Sequence, residues 1–424
     1  MISWPAPART PLPGRGVIPT IHDTATDARR QLEVTDGTAG VYVCGITPYD
    51  ATHMGHAATY VTVDLLNRAL LDAGAQVRFV ENVTDVDDQL LERATRDGVD
   101  WRDLATSEIQ LFRDDMSALR VIPPDHLVGV VESIDLIARD VRALLEVGAA
   151  YRVGRADATG HGEDDLYLDL SAQEEFGRTS GFTEHEMDEV FADRGGDPDR
   201  EGKRTRFDPL LWRAARPGEP SWEADGLPVG RPGWHIECSA IAVEYLGTRF
   251  AVQCGGTDLV FPHHEMSAVQ ASALRGEGAF ARSYLHQAMV GLDGEKMSKS
   301  KGNLVLVSRL RAQGEDPAAI RLVLLAHHYR TPWDWTDEAL AEARARLGRW
   351  READARTRED ATRPASTPTP AGLLGAVRRR IADDLDTPGA LVEIDAWIER
   401  GADPVDLGGA PLHAIVETLL GLAL

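Results

Sequence analysis

Residues 41–60 read V-Y-V-C-G-I-T-P-Y-D-A-T-H-M-G-H-A-A-T-Y. The run Val41, Tyr42, Val43 is apolar and breaks at Gly45, which predicts a strand ending near Cys44. Ala58, Val61, Leu65, Leu66 and Ala69 then recur at helical spacing, so an amphipathic helix is expected to start near Gly55 and to end at Gly74. A strand-to-helix crossover leaves open backbone N–H groups at the strand's carboxyl end, a geometry that binds phosphate. In His53-x-Gly55-His56 the glycine admits a flat ring against the backbone, and both imidazoles can donate to phosphate oxygens.

Downstream, Gln76 to Val83 reads as a second, alternating strand with Val77, Phe79 and Glu81 on one side. The acidic residues Asp85, Asp87 and Asp88 that follow read as the first-turn cap of a helix. Strand, helix, strand with a ligand motif at each strand end is half of a doubly wound parallel α/β sheet. The pattern is helical to Gly148, with Leu90, Leu91, Ala94, Ile134, Ile137, Val141, Leu144 and Leu145 recurring. Periodicity is then lost until Gly230, over a stretch that includes Asp193 to Pro198, a string of turn residues. The sheet is expected to resume at Phe250 to Gln253 and at Tyr284 to Val290; His263 introduces the helix between them, and Cys238 opens the helix before. Asp316 before Pro317 is a ready helix cap.

The expected organisation is an irregular N-terminal arm over 1–37 anchored by Trp4, the first half of the sheet-bearing domain over 38–148, and an insertion over 149–230. The second half of that domain follows over 231–305, and a helical region over 306–424 with a Pro- and Thr-rich linker near 361–370.

Of the 424 residues, 43% are hydrophobic and 27% charged, as in ordinary globular proteins. No apolar run approaches a membrane span and residues 1–30 hold no signal-like core, so a cytoplasmic location is expected. Three cysteines exclude a disulfide framework. The net charge of -23 argues against a large nucleic-acid partner, which needs concentrated cations. One basic loop does stand out: Lys296-Met297-Ser298-Lys299-Ser300, after the turn Gly291-Leu292-Asp293-Gly294. Two lysines and two serines so placed can neutralise a triphosphate.

The pair His53-x-Gly55-His56 and Lys296 to Ser300 resembles the two signatures of class I aminoacyl-tRNA synthetases. Cys44-Gly45-x-Thr47, Asn82-Val83-Thr84-Asp85, Gly233-Trp234-His235-Ile236-Glu237-Cys238-Ser239 and Phe261-Pro262-His263-His264-Glu265 narrow the likeness to the cysteinyl group. Within it the chain is most similar to the mycothiol-pathway branch, which joins L-cysteine to glucosaminyl-inositol. The cysteinyl-tRNA synthetases extend well past the D-D-x-x-T-P string found here at Asp383 to Pro388, to grip the anticodon stem. Only residues 389–424 follow it, too few for an independent RNA-binding module. The expectation is an AMP-forming amide ligase, working as a monomer without tRNA; a true cysteinyl-tRNA synthetase is the alternative.

The resemblance also implies a site. By residues alone Cys44, Cys238 and His263 are scattered, and Cys238 reads as core among Ile236, Ile241, Ala242 and Tyr245. The family implies instead that these three bind one zinc ion, which separates cysteine from serine. Where the synthetases place a fourth ligand, Glu, this chain has Ser267, with Glu265 as an alternative ligand. Cys254, in place of a family glycine, reads as packing. His53, His56, Lys296 and Lys299 are implied as catalytic, with magnesium on ATP. Cys44, Gly45, Ile46, Thr47, Thr59, Asn82, Val83, Thr84, Trp234, Gly256, Thr257, Asp258 and Val290 are implied to hold substrate and adenylate.

Overall fold

The computed structural model describes residues 1–49, 52–154, 164–297, 302–359 and 372–424, without the side chains of 296 and 359. Thr38–Val43 is the middle strand of a five-stranded sheet. Its last three residues are buried without alternation, as happens when helices cover both faces of a parallel sheet. The order across the sheet is Tyr284–Gln287, Val252–Gly256, Thr38–Val43, Gln76–Val83, His126–Gly129, with every neighbouring pair parallel. Chain order reverses between Thr38–Val43 and Val252–Gly256, where Val43 stands in register with Cys254. That reversal is the switch point at which a doubly wound sheet opens a crevice.

Two strands depart from the expected pattern. Gln76–Val83 does not alternate: from Phe79 onward both faces are buried, Glu81 included. His126–Gly129 lies inside the stretch read as helical, because four residues are too short to show a period.

The expected helix is Met54–Asp72, but it is buried on nearly every side. The sheet takes one face, while the helices Pro317–Leu325, Leu373–Ala382 and Leu412–Leu420 pack on the rest. The charged residues so enclosed are paired. Asp64 accepts from Arg68 Nε at 2.7 Å and from Arg321, and Arg321 also donates to the carbonyls of Leu420 at 2.7 Å and Leu119 at 2.6 Å. Losing one partner of such a buried set costs about 3–5 kcal/mol.

The N-terminal arm is less irregular than expected, since Thr20–Asp23 and Ala28–Gln31 form a hairpin. Trp4 does anchor it, edge-on to Phe112 with Nε1 donating to the Val121 carbonyl at 2.9 Å. The aperiodic stretch after Gly148 contains a four-stranded antiparallel sheet, Ala150–Val153, Asp165–Leu168, Leu210–Ala214 and Gly230–Pro232. Cys238 sits inside Trp234–Leu246 rather than at its start. Asp316 caps Pro317–Leu325 as expected, donating nothing and accepting from the Ala318 amide.

Candidate active site

A cleft of about 840 Å³ opens at the switch point. Cys44, Gly45, Ile46, Thr47, His53, His56, Thr59, Thr84, Trp234, Gly256, Asp258 and Val290 line it. Asn82, Val83 and Thr257 do not. Val83 is core, whereas Asn82 acts from behind: its Oδ1 accepts from the Gly45 amide at 2.9 Å and from the Tyr42 hydroxyl at 3.0 Å. Gly45 is required there, because a Cβ would lie 1.5 Å from the Asn82 carbonyl oxygen.

His53 caps the Met54–Asp72 helix, its Nδ1 accepting from the amides of Gly55 at 3.1 Å and His56 at 3.4 Å. With Nδ1 an acceptor, the neutral imidazole carries its ring proton on Nε2. The His56 ring stacks on it at 3.8 Å. Lys296 lies on the short strand Glu295–Lys296, paired with Val290–Leu292. Its side chain and all of Lys299 are outside the described residues.

Beneath the cleft, one donor atom each from Cys44, Cys238 and His263 gathers within 4.8 Å. His263 Nε2 is 3.2 Å from Cys238 Sγ, and its Nδ1 faces His235 Nδ1 at 2.9 Å. Trp234 stacks on the His263 ring at 4.2 Å. Cys44 Sγ is 3.2 Å from His264 Nε2, which leads through His264 Nδ1 to His286 Nε2 at 2.7 Å. Burial holds His263 and His264 well below the usual histidine range and takes His235 and His286 down to about 3, so these rings are neutral. Burial, with the Cys44 sulfur beside it, pushes the Cys238 thiol well up. Two enclosed thiols and a neutral imidazole supported on its far nitrogen form a donor set that a divalent metal fits and would ionise.

Neither Ser267, at the position of the family's fourth ligand, nor the alternative Glu265 is turned to the cluster. Ser267 Oγ donates to the carbonyls of His263 at 2.8 Å and His235 at 3.2 Å. Glu265 accepts from the amides of Gly177 at 2.8 Å and Ser180 at 2.7 Å, so the alternative ligand is ruled out by its place in the insertion's turn. Cys254 is fully buried core, apart from the cluster. The sequence reading missed His235 and His286 as supports, since nothing in a lone histidine marks its neighbours. Asp193 to Pro198, whose turn residues leave open a plain turn or the similar E-R-G-G-D-P string of the ligase branch, contributes residues 193–197 to the lining of the cleft.

A nucleotide crevice at the switch of a doubly wound sheet, entered from a paired-histidine turn, is how class I aminoacyl-tRNA synthetases are built. The chain belongs to that family: residues 31–345 match the model for the tRNA synthetases class I (C) catalytic domain. Within it, a relative from Kytococcus sedentarius named L-cysteine:1D-myo-inositol 2-amino-2-deoxy-alpha-D-glucopyranoside ligase is 60% identical over 405 residues, 94% of this chain and 92% of its own. A relative of the same name from Kineococcus radiotolerans is 56% identical over the full length of both chains. Among solved structures, Mycobacterium tuberculosis methionyl-tRNA synthetase with methionyl-adenylate superposes with a TM-score of 0.62 at 16% identity, covering 90% of this chain and 89% of that one, a likeness of fold alone. Among the described residues no helix is long and apolar enough to cross a membrane.

Proposed function

We propose that the protein is an AMP-forming ligase that joins L-cysteine to the 2-amine of glucosaminyl-inositol in mycothiol biosynthesis. The observation that carries this reading is full-length identity of more than half to relatives of that name, with the Cys44, Cys238 and His263 cluster directly under the nucleotide crevice.

In the first step the cysteine carboxylate attacks the α-phosphorus of ATP, forming cysteinyl-adenylate and expelling pyrophosphate. His53 Nε2–H and His56 donate to the phosphate oxygens as charge builds there, and Lys296 and Lys299 balance the leaving pyrophosphate. Thr47 and Thr84, at neighbouring strand ends, orient the amino and carboxyl groups. In the second step the sugar amine attacks the carbonyl carbon, the C–O bond to AMP breaks, and the amine loses a proton to give the amide. Zinc held by Cys44, Cys238 and His263 would bind the substrate sulfur as thiolate, which a serine hydroxyl cannot match. Magnesium would accompany ATP. The net charge of -23, which disfavours self-association and RNA alike, supports a monomer acting without tRNA.

Cysteine-dependent exchange of labelled pyrophosphate into ATP tests the first step, and mass detection of product after offering glucosaminyl-inositol and tRNA together tests the second. Charged tRNA without amide would establish the synthetase alternative.

A further inference from the structure

The cleft has a second wall, made largely by the insertion and holding none of the residues assigned above to the adenylate. Asp88, Asp165, Arg194, Arg200, Arg213, Arg216 and Arg231 all border it. Four of these five guanidiniums are already matched to carboxylates. Arg213 Nη1 bonds both Asp88 oxygens at 2.9 and 3.0 Å and its Nη2 reaches Glu219 at 3.1 Å; Arg231 bonds the same Asp88 and Glu219, closing a ring. Beside the ring, Arg216 Nη2 forks onto both oxygens of Asp165 at 2.9 and 2.8 Å, with Arg200 on the same carboxylate at 3.3 Å. Arg194, the fifth, donates its Nη1 to the carbonyl of Phe261 at 2.6 Å.

A nucleic-acid end needs unmatched cations to replace its counterions, and here five guanidiniums face at least as many carboxylates, since Asp87, Asp193 and Asp197 line the cleft beside Asp88 and Asp165. A hydroxyl is different, since it donates and accepts at once. A rigid surface on which carboxylate acceptors alternate with guanidinium donors is complementary to adjacent hydroxyls and neutral toward charge. We propose that this ion-pair lattice, the Asp88–Arg213–Glu219–Arg231 ring with the Asp165–Arg216 fork, is the subsite for the polyol portion of the acceptor and selects a neutral hydroxyl-rich ring over a polyanionic chain end. The inference rests on the acceptor assigned above and says where that acceptor's inositol is held.

Arg213→Lys and Arg216→Lys in the full-length, zinc-loaded protein test it, with glucosaminyl-inositol and plain glucosamine as the two acceptors. Both variants are expected to raise KM for glucosaminyl-inositol about ten-fold, to narrow its preference over glucosamine by the same factor, and to move KM for cysteine in pyrophosphate exchange far less. The ring also joins the insertion to the Asp88–Asp97 helix, so Arg213→Lys could act as a loosened staple; Arg216, bonded only within the insertion, is free of that role. If both acceptors weaken equally, or exchange weakens in step, the lattice is structural and the subsite is overturned. If the parent exchanges pyrophosphate but makes no amide with glucosaminyl-inositol, the acceptor assignment itself is what fails.

Discussion

The backbone N–H of Val307 donates to the carbonyl of Thr52 at 3.0 Å. With the Met54 amide on the Val305 carbonyl at 3.0 Å and a bridge from His53 to Leu306, this zips the chain leaving the lysine-bearing loop to the histidine turn. The short helix Val307–Ala312 that continues it is held in turn by Arg311, whose Nη1 lies 2.6 Å from the buried Asp115 Oδ1. Arg311→Gln is therefore expected to raise KM for ATP in pyrophosphate exchange about ten-fold, the effect of 1.4 kcal/mol, and to leave KM for cysteine nearly unchanged. Parallel rises in both would refute the coupling.

His53 has two duties that substitution can separate. Asn at this position keeps an acceptor for the helix amides but loses the donor to phosphate. His53→Asn should lower kcat of exchange about 100-fold with little change in Tm, while His53→Ala should lower both. Equal loss of Tm in the two variants would show that the cap is not what His53 supplies.

Metal binding can be read without turnover. Cys238→Ala removes one of two sulfurs from the cluster, and elemental analysis is expected to find about one equivalent of zinc in the purified parent and little in the variant. Stoichiometric zinc in the variant would exclude Cys238 as a ligand.

Asp85 makes stability depend on pH. Burial raises its carboxyl from 3.8 to about 6, although the Val131 amide donates to Oδ1 at 2.9 Å. Between these values the folded chain keeps a proton that the unfolded chain releases, so stability falls as pH rises through about 4 to 6 and stays reduced above. Asp85→Asn retains an acceptor for Val131 and removes the titration. Its gain in unfolding free energy over the parent is expected to be larger at pH 8 than at pH 4, by roughly 3 kcal/mol for two pKa units. A difference independent of pH would contradict this.

How much of this was legible in the sequence depended on distance along the chain. The crossover from Val43 to Met54 was readable because strand, glycine break and helix period lie within one stretch. The three cluster residues were reached only through family likeness, since 25 or more positions separate any two of them and spacing cannot report a contact made by sheet topology. His126–Gly129 escaped because a short strand buried on both sides has no alternation to display. The helix Met54–Asp72 reads as amphipathic for a related reason: Asp64 and Arg68 look solvent-facing, and only the fold brings Arg321, some 250 residues later, to share the Asp64 carboxylate in the interior. The arginine and aspartate lattice was invisible because each pairing is decided by the fold rather than by neighbours.

The Arg321 junction also ties together parts of the molecule that are remote in sequence. Its guanidinium draws on Asp64 from the first crossover helix and on the carbonyl of Leu420 at the end of the Leu412–Leu420 helix, so loosening either helix strands the same buried charge. The turn that presents the histidines and the distant helices clasped on its far side should therefore melt as one cooperative unit.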